Sequence, residues 1–163
     1  MNIWIMRHGE AGFNAPTDAQ RNLTEQGKLM AYQQGQWLAK RLENQQIKLD
    51  KVIISPYLRT QQTAQAVEQG MQAVNTMQSF ANLAETWEEI TPDGNPDTVI
   101  DYLAFLREEG AKHVLIISHL PLVFDLVYQL TQQRVHFSPA VIAEISKVEG
   151  KSHLSVIVPG NSQ

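Results

Sequence analysis

The stretch Val114-Leu115-Ile116-Ile117-Ser118-His119-Leu120-Pro121 passes directly from an apolar run into a polar turn. A short apolar run bounded by a turn is typical of a strand that is buried on both faces of a sheet. Beyond Pro121, apolar residues recur at helical spacing, at Val123, Leu126, Val127 and Leu130. The stretch therefore predicts a buried strand that leads at once into an amphipathic helix, which is the building unit of a parallel α/β sheet.

The same unit occurs twice earlier in the chain. Residues 2–6 predict a first buried strand, and after the polar loop 7–23, Thr24 is suited to cap a helix. Val52-Ile53-Ile54 predicts a second buried strand, which Ser55-Pro56 ends. The helices after these strands are marked by small or apolar residues at helical spacing: Ala31, Gly35, Leu38 and Leu42 in the first, and Ala64, Val67 and Met71 in the second.

The middle of the chain carries weaker signals. Residues 74–80 predict a third, less apolar strand, and residues 81–96 predict an acidic loop that ends in the turn-forming run Thr91-Pro92-Asp93-Gly94-Asn95-Pro96. Asp97 is suited to cap a third helix, which Gly110 would end. The buried face of that helix is marked by Val99, Leu103 and Leu106.

The C-terminal part has the pattern of a β-hairpin. Residues 140–148 and 153–158 predict two strands, joined by a turn at Glu149-Gly150-Lys151. Alternating strands and helices followed by a hairpin predict an α/β fold, a three-layer sandwich whose central sheet is mostly parallel and has helices on both faces. Because the sequence has no internal repeat and no linker, residues 1–163 are predicted to form one domain.

The composition is that of an ordinary globular protein. The 163 residues are 43% hydrophobic and 18% charged, with a net charge of −4, so bulk charge gives no reason to expect a nucleic-acid partner. Because the chain has no cysteine, a disulfide framework and a thiolate metal site are both excluded. The first apolar run is shorter than a secretory signal, and no run approaches the roughly 20 residues of a membrane span. We therefore expect a cytoplasmic protein without a membrane partner.

Conspicuous polar groups follow three of the predicted strands. Arg7-His8-Gly9-Glu10 follows the first, Arg59 lies one helical turn beyond Ser55-Pro56, and His119 follows the strongest strand. Ligands of open α/β sheets bind where parallel strands end, so these side chains are expected to converge. Two arginines and two histidines suit a dianionic phosphoryl group, whose charge cationic donors stabilise. Arg59 also opposes the dipole of its own helix, which suggests a compensating anion.

Four motifs occur along the chain in a specific order. They are Arg7-His8-Gly9-Glu10, Arg21-Asn22-Leu23-Thr24-Glu25-Gln26-Gly27, Ser55-Pro56-Tyr57-Leu58-Arg59-Thr60-Gln61-Gln62-Thr63-Ala64 and Ile117-Ser118-His119. Together they resemble the motifs of the histidine phosphatase superfamily, whose fold is called phosphoglycerate mutase-like, and the resemblance covers essentially the whole chain. Within that superfamily, Ile116-Ile117-Ser118-His119-Leu120-Pro121-Leu122-Val123 and Thr91-Pro92-Asp93-Gly94 resemble the short bacterial phosphohistidine phosphatases of the SixA type.

The resemblance implies a role for each motif residue. His8 would be the nucleophile that becomes phosphorylated. Arg7 and Arg59 would hold phosphate oxygens, and His119 would donate a hydrogen bond to the transferring group. Arg21 would be a further phosphate or substrate contact. No metal and no other cofactor is implied, because cationic side chains supply the charge.

A proton donor for the leaving group is harder to place. Many members of the superfamily use an acidic residue to protonate the leaving oxygen, and in the mutase branch it lies in a loop after the third strand. In that region this chain has Glu85, Glu88, Glu89 and Asp93 in no recognisable pattern. An alkoxide leaving group benefits from general acid catalysis worth about 10²–10⁴-fold. A phosphohistidine instead carries its own proton on the ring and leaves as neutral imidazole. An enzyme for that substrate could therefore dispense with a dedicated acid.

The sequence accordingly favours a phosphatase for a phosphohistidine-bearing protein, such as a histidine phosphotransfer domain of two-component signalling. Phosphate ion is the other expected ligand, and a monomer is the expected oligomeric state. Two alternatives stay open. One is a broad phosphomonoesterase or a mutase, which would need an acid among Glu85, Glu88 and Glu89. The other is a module that binds phosphorylated ligands without turnover.

Overall fold

The computed structural model, which describes residues 1–148 and 151–159, contains a six-stranded and mostly parallel sheet. Its strands are β1 (Asn2–Arg7), β2 (Lys51–Ile54), β3 (Ala84–Thr86), β4 (His113–Ser118), β5 (Ile142–Val148) and β6 (Lys151–Val158). They lie in the order β3-β2-β4-β1-β5-β6. Neighbours among β1 to β4 pair in parallel, whereas β5 is antiparallel to both β1 and β6.

Helices cover both faces of this sheet. They are α1 (Glu25–Gln45), α2 (Leu58–Val74), α3 (Pro96–Glu108) and α4 (Leu122–Thr131). α1 and α2 pack on one face and α3 and α4 on the other, so the predicted three-layer α/β architecture is confirmed. Single-turn 3-10 helices lie in the connections at Asp18–Gln20 and Glu88–Ile90. Within the described residues, no helix has the length and apolar character needed to cross a bilayer.

The central strands are buried on both faces. In β1, Trp4 and Met6 pack under α1 and α2, whereas Ile3 and Ile5 pack under α3 and α4. The parallel partner β4 alternates in the same way, and all of its apolar residues are buried. Burial on both faces explains why these strands appear in the sequence as unbroken apolar runs rather than as an alternation of polar and apolar residues.

Two local expectations are wrong. The third strand is Ala84–Thr86 rather than residues 74–80, because Val74 ends α2 and 75–80 form irregular chain. This strand has three residues at the sheet edge and none is buried, so its sequence carries no apolar signal. The cap of α3 is Asn95, whose side chain accepts from the N–H of Asp97, so Asp97 lies within the first turn instead. The predicted hairpin turn at 149–151 lies mostly outside the described residues.

The ends of the three central strands lie side by side at one edge of the sheet. Arg7 at the end of β1 is in register with Ser118 at the end of β4. Ile54 at the end of β2 is in register with Ile117, also in β4. The residues that follow these strand ends are His8, Ser55 and His119. The topology alone therefore places the first and fourth sequence motifs next to each other, with the start of the third, at Ser55, beside them.

Candidate active site

The two motif histidines meet at this edge of the sheet. The backbone N–H of His8 donates to the Ser118 carbonyl at 3.0 Å, which fixes the start of the first loop against the end of β4. The rings of His8 and His119 lie 5.3 Å apart between centroids, and both residues are buried. Arg59 donates from Nε to His8 Nε2 at 3.3 Å, and Arg7 immediately precedes His8. The structure therefore brings together the four residues that the motifs single out.

Hydrogen bonding fixes His8 as a neutral ring with a lone pair on Nε2. Its Nδ1 lies 2.7 Å from the Gly9 carbonyl oxygen, which can only accept, so Nδ1 carries the proton. Burial above all, opposed by the hydrogen bond to Gly9 and assisted by the nearby arginine charges, lowers the pKa of His8 to about 4. At neutral pH the ring is therefore uncharged, and Nε2 is available as a nucleophile.

A serine sets the same tautomer in His119. The Nε2 atom of His119 lies 2.7 Å from Ser55 Oγ, and the same oxygen accepts from the N–H of Tyr57 at 3.3 Å. Both hydrogen bonds are made when Ser55 Oγ donates its single proton to His119 Nε2. The proton of a neutral His119 ring then lies on Nδ1. Burial, followed by the charges of His8 and Arg59, lowers the pKa of His119 to about 3, so the ring is neutral. His119 Nδ1 is therefore a hydrogen-bond donor.

Two buried donors of this group have no partner within the protein. Among the described residues, the buried side-chain nitrogen and oxygen atoms without a hydrogen bond are Arg7 Nε and His119 Nδ1. Leaving such an atom unpaired costs roughly 1–3 kcal/mol. The two unpaired donors therefore indicate that a ligand with hydrogen-bond acceptors binds here. Arg7 Nη1 meanwhile donates to the Phe137 carbonyl at 2.9 Å, which holds the guanidinium in position. A phosphoryl group, with several acceptor oxygens, matches these donors.

The outer edge of Arg59 is held by a residue that no motif singled out. Arg59 Nη1 donates to the Asp18 backbone carbonyl at 2.6 Å, and Nη2 donates to the Asp18 carboxylate at 3.1 Å. Arg21 Nη1 donates to the other carboxylate oxygen, also at 3.1 Å. Burial acts to raise the pKa of Asp18, but the hydrogen bonds from Arg21 and Arg59 outweigh it and lower that pKa. The compensating anion suggested by the position of Arg59 is thus supplied by the chain itself.

Arg21 lies at the rim of the site. Its Nε donates to the Gly12 carbonyl at 2.8 Å, and its guanidinium carbon lies 4.1 Å from the centre of the exposed Phe13 ring. Within the described residues, its hydrogen-bonded connection to the site runs through Asp18. A direct contact between Arg21 and phosphate therefore stays a prediction.

Two glycines let the first loop lie directly on the helices. A Cβ on Gly9 would be 2.6 Å from the carbonyl oxygen of Gly27, and a Cβ on Gly27 would collide with the Glu10 carbonyl. The N–H of Gly9 also donates to Thr63 Oγ1 at 3.0 Å, so α2 anchors the loop as well. As predicted, Thr24 caps α1, and its hydroxyl oxygen accepts from the N–H of Gly27 at 2.9 Å. Close backbone packing thus holds the loop that carries His8 in place.

The acidic residues after the third strand have other surroundings. Glu85 accepts a hydrogen bond from Tyr102 and pairs with Lys51 at 3.5 Å. Burial, followed by the bond to Glu85, raises the pKa of Tyr102 to about 12. The other acidic residues of this segment, all exposed, are Glu88, Glu89 and Asp93. Across the described ranges, none of these carboxylates is bonded to a motif histidine or arginine, and the carboxylate beside the site comes from the first loop.

Three residues of the site received no role from the sequence. Ser55 and Thr63 lie inside the third motif, but their bonds to the residues that follow β1 and β4 depend on the fold. The sequence signal of Asp18 is its position three residues before Arg21, which is typical of a local ion pair. Chemically, the assembled group offers a neutral nucleophile facing several N–H donors. This arrangement suits in-line transfer of a phosphoryl group.

The comparisons with known families and sequences are consistent with a site for phosphoryl transfer. The sequence model of the histidine phosphatase superfamily (branch 1) matches residues 3–103, which include His8, Asp18 and Arg59. A phosphohistidine phosphatase SixA homolog from Haemophilus influenzae is 45% identical over 157 residues, covering 94% of this chain and 93% of that protein. The phosphohistidine phosphatase SixA of Escherichia coli is 37% identical over 130 residues, covering 80% of this chain and 74% of that protein.

Solved structures show the same relationship. The protein histidine phosphatase SixA complexed with tungstate has a TM-score of 0.82 at 33% identity, with 98% of this chain and 97% of that chain covered. A phosphoglycerate mutase from Bacillus anthracis has a TM-score of 0.70 at 14% identity, covering 95% and 91%, which shows a likeness of fold alone. The expected phosphoglycerate mutase-like fold is confirmed, as is an enzyme of the phosphatase class at the level of the family. Because the sequence model of this superfamily matches more than half of the chain, the chain belongs to the histidine phosphatase superfamily.

Proposed function

We propose that this protein is a phosphohistidine phosphatase that dephosphorylates a histidine phosphotransfer domain, or a similar protein, through a covalent phospho-His8. The relatives at 45% and 37% identity are named phosphohistidine phosphatases, which supports the reaction. The observation that carries the mechanism is the state of His8, whose Nδ1 proton is held by Gly9 and whose Nε2 lone pair faces Arg59. The proposed setting is two-component signalling in the cytoplasm, with the protein acting as a monomer.

In the first step, His8 Nε2 attacks phosphorus in line with the substrate nitrogen. The phosphoryl oxygens, over which the transition-state charge spreads, accept hydrogen bonds from Arg7 Nε and His119 Nδ1. Arg59 Nε also donates to them, after its hydrogen bond to His8 Nε2 breaks and frees that lone pair for the attack. The bond from phosphorus to the substrate nitrogen breaks as the bond to Nε2 forms. Because one phosphoramidate replaces another, the step is close to thermoneutral. The nucleophile needs no base, since a His8 pKa of about 4 leaves the ring neutral at pH 7.

In the second step, water attacks the phosphorus of phospho-His8. The P–N electron pair returns to Nε2, and the ring leaves as neutral imidazole with its other proton still on Nδ1. Both protons of the water depart with the product as dihydrogen phosphate, so the step balances. The Gly9 carbonyl, which holds the Nδ1 proton, stabilises the protonated form of phospho-His8, and protonation makes the ring a better leaving group.

The surroundings of the site support a phosphohistidine on a protein as the substrate. Within the described residues, Glu85, Glu88 and Glu89 make no bond to the motif histidines, so an alkoxide would find no positioned acid there. The loop that carries Asp18 also lies at the surface, because Phe13 is 84% exposed and the Asp18 side chain is 57% exposed. We therefore expect a phosphorylated ring on the surface of a folded partner to reach the buried histidines beside this loop.

A side-by-side assay tests the proposal. Purified protein is given a phosphorylated histidine phosphotransfer domain or p-nitrophenyl phosphate, and the rate of phosphate release is measured for each. His8→Ala is expected to lower turnover of the phosphohistidine at least about 10³-fold, because the nucleophile is lost. His153→Ala, which removes an exposed histidine of β6, is the matched control and should keep the wild-type rate.

Each alternative function predicts a different result. Faster release from p-nitrophenyl phosphate than from the phosphohistidine would favour a general phosphatase. Binding of the phosphorylated domain without any turnover would favour a binding module. An His8→Ala variant that retains the wild-type rate would contradict the covalent mechanism.

A further inference from the structure

Asp18 binds the arginines of the site but takes no part in the two steps proposed for His8. Its carboxylate oxygens accept from Arg59 Nη2 and Arg21 Nη1, each at 3.1 Å. The Arg59 side chain is 5% exposed and the Asp18 side chain 57%, so the carboxylate lies at the surface, directly outside the buried guanidinium. Arg59 Nε faces His8 while its Nη atoms face Asp18, so the guanidinium lies between the nucleophile and the carboxylate.

The two rings that exchange the phosphoryl group have the same chemical need. His8 leaves as neutral imidazole in the second step because Nδ1 keeps its proton, which the Gly9 carbonyl holds at 2.7 Å. By the same chemistry, the substrate ring leaves as neutral imidazole in the first step when its nitrogen remote from phosphorus carries a proton. An acceptor at that nitrogen favours the protonated ring. A ring that points from the bound phosphorus toward the surface presents this nitrogen there.

We propose that Asp18 accepts the hydrogen bond of the remote ring N–H of the substrate phosphohistidine, and thereby selects phosphohistidine over phosphomonoesters. This inference rests on the proposed function and adds a residue that contacts the substrate. As the P–N bond breaks, its electron pair returns to the ring and cancels the ring's positive charge. The proton stays on the remote nitrogen throughout, so the step needs no general acid.

The same carboxylate disfavours an ester. Because two arginines hold the pKa of Asp18 below its ordinary value, the group stays ionised at neutral pH and cannot donate the proton that a departing alkoxide needs. Its negative charge also opposes the negative charge that develops on a leaving oxygen. For a departing ring that keeps its own proton, the ionised state and the negative charge of Asp18 are both favourable.

Asp18→Asn tests the inference, because the amide keeps the shape and one acceptor oxygen but loses the charge. We would measure kcat and KM with the phosphorylated phosphotransfer domain and with p-nitrophenyl phosphate, whose leaving group needs no acid. For the phosphohistidine, kcat should fall about 10–100-fold, whereas for the ester the fall should stay below about threefold, because only the looser hold on Arg59 affects it. Inhibition by inorganic phosphate should be little changed, since the donors that bind it remain. Asp101→Asn, an exposed change on α3, is the matched control.

The pH profile of kcat separates this role from a structural one. This profile reports groups in the enzyme–substrate complex, and Asp18 would raise the pKa of the bound substrate ring. The alkaline limb for the phosphohistidine should therefore move to lower pH in Asp18→Asn. A residue that only anchored Arg59 would leave that limb in place.

Three results would overturn the inference, and they are distinguishable. Equal losses of kcat on both substrates would mean that Asp18 only anchors Arg59. An unchanged kcat on the phosphohistidine, with the wild type active, would show that Asp18 has no part in departure of the ring. A wild-type protein that is inactive toward the phosphohistidine would overturn the proposed function, and this inference with it.

Discussion

Two acidic segments lie near the same edge of the sheet, and they relate to the site in opposite ways. In the loop between β1 and α1, Asp18 binds Arg59 and Arg21 directly. In the connection between β3 and α3, Glu88 and Glu89 are exposed. Within the described residues, neither is hydrogen-bonded to a histidine or arginine of the site. The resemblance to the superfamily directs attention to the second segment, whereas the structure places a carboxylate beside the arginines from the first.

The difference concerns protonation as well as position. A carboxylate paired with two arginines stays ionised, so it accepts hydrogen bonds and does not donate a proton. A general acid instead needs a raised pKa and a place next to the leaving atom. The site is therefore suited to a leaving group that brings its own proton, as a phosphohistidine does.

Arg59→Gln should have the largest effect, because Arg59 serves both sides of this comparison. The change removes a proposed donor to the phosphoryl group and the bonds from Arg59 to Asp18. Loss of one donor to a charged transition state costs about 10²–10³-fold in kcat, and we expect at least that loss on both substrates. Arg134→Gln, an exposed change, should keep the wild-type rate. A loss of kcat below about tenfold would show that Arg59 is not a transition-state donor.

Ser55→Ala should have the next largest effect, on the histidine opposite the nucleophile. Without the hydroxyl, His119 Nε2 loses the donor that keeps the ring proton on Nδ1. We expect kcat to fall about 10–100-fold, as for loss of a positioned donor. Nitrogen NMR of the His119 ring should show the proton moving from Nδ1 toward Nε2. An unchanged ring spectrum would contradict the assigned role of Ser55.

The part of the fold that the sequence predicted well is the centre of the sheet. β1, β2 and β4 are buried on both faces, so each appears as an unbroken apolar run. β3 was misplaced because it has three residues, lies at the edge and buries none of them. The cap of α3 was assigned to Asp97 because Asn95 and Asp97 are both good cap residues, and only the backbone geometry selects Asn95.

The site was predicted as a set of residues but not as a network. The positions of Arg7, His8, Arg59 and His119 after buried strands made their convergence predictable. The tautomers of the two rings were not, because they depend on Gly9 and Ser55 partners that only the fold brings into contact. The bond from Arg59 to Asp18 joins residues 41 positions apart, and no local pattern records it.

The low pKa values of the two buried histidines should make the stability of the fold depend on pH. In the folded protein the pKa values of His8 and His119 are about 4 and about 3, whereas an unfolded histidine titrates near its ordinary value of 6.5. Between these values the unfolded chain binds more protons, so stability should fall as pH drops from 6.5 toward 4. The loss should be on the order of 2 kcal/mol for each histidine. Denaturant titrations of the wild type and of His119→Asn should show a shallower slope for the variant in this window; equal slopes would contradict the assigned neutrality of His119.

Glu88→Gln and Glu89→Gln should have the smallest effect. Both side chains are exposed, and the proposed leaving group carries its own proton. We expect kcat on the phosphohistidine to stay within about twofold of the wild type, as is usual for surface changes away from the chemistry. A tenfold loss in either variant, with the melting temperature unchanged, would place the acid in the second segment after all.

The most direct test of the account is to find the covalent intermediate. A phosphotransfer domain that is radiolabelled on its phosphohistidine is mixed with an equal amount of the protein, and the reaction is stopped rapidly in alkali, which preserves phosphohistidine. Peptide mapping then locates the label. The account predicts label on His8 of the wild type and none on the His8→Ala variant. Label on His119 instead, or wild-type phosphate release by His8→Ala, would contradict it.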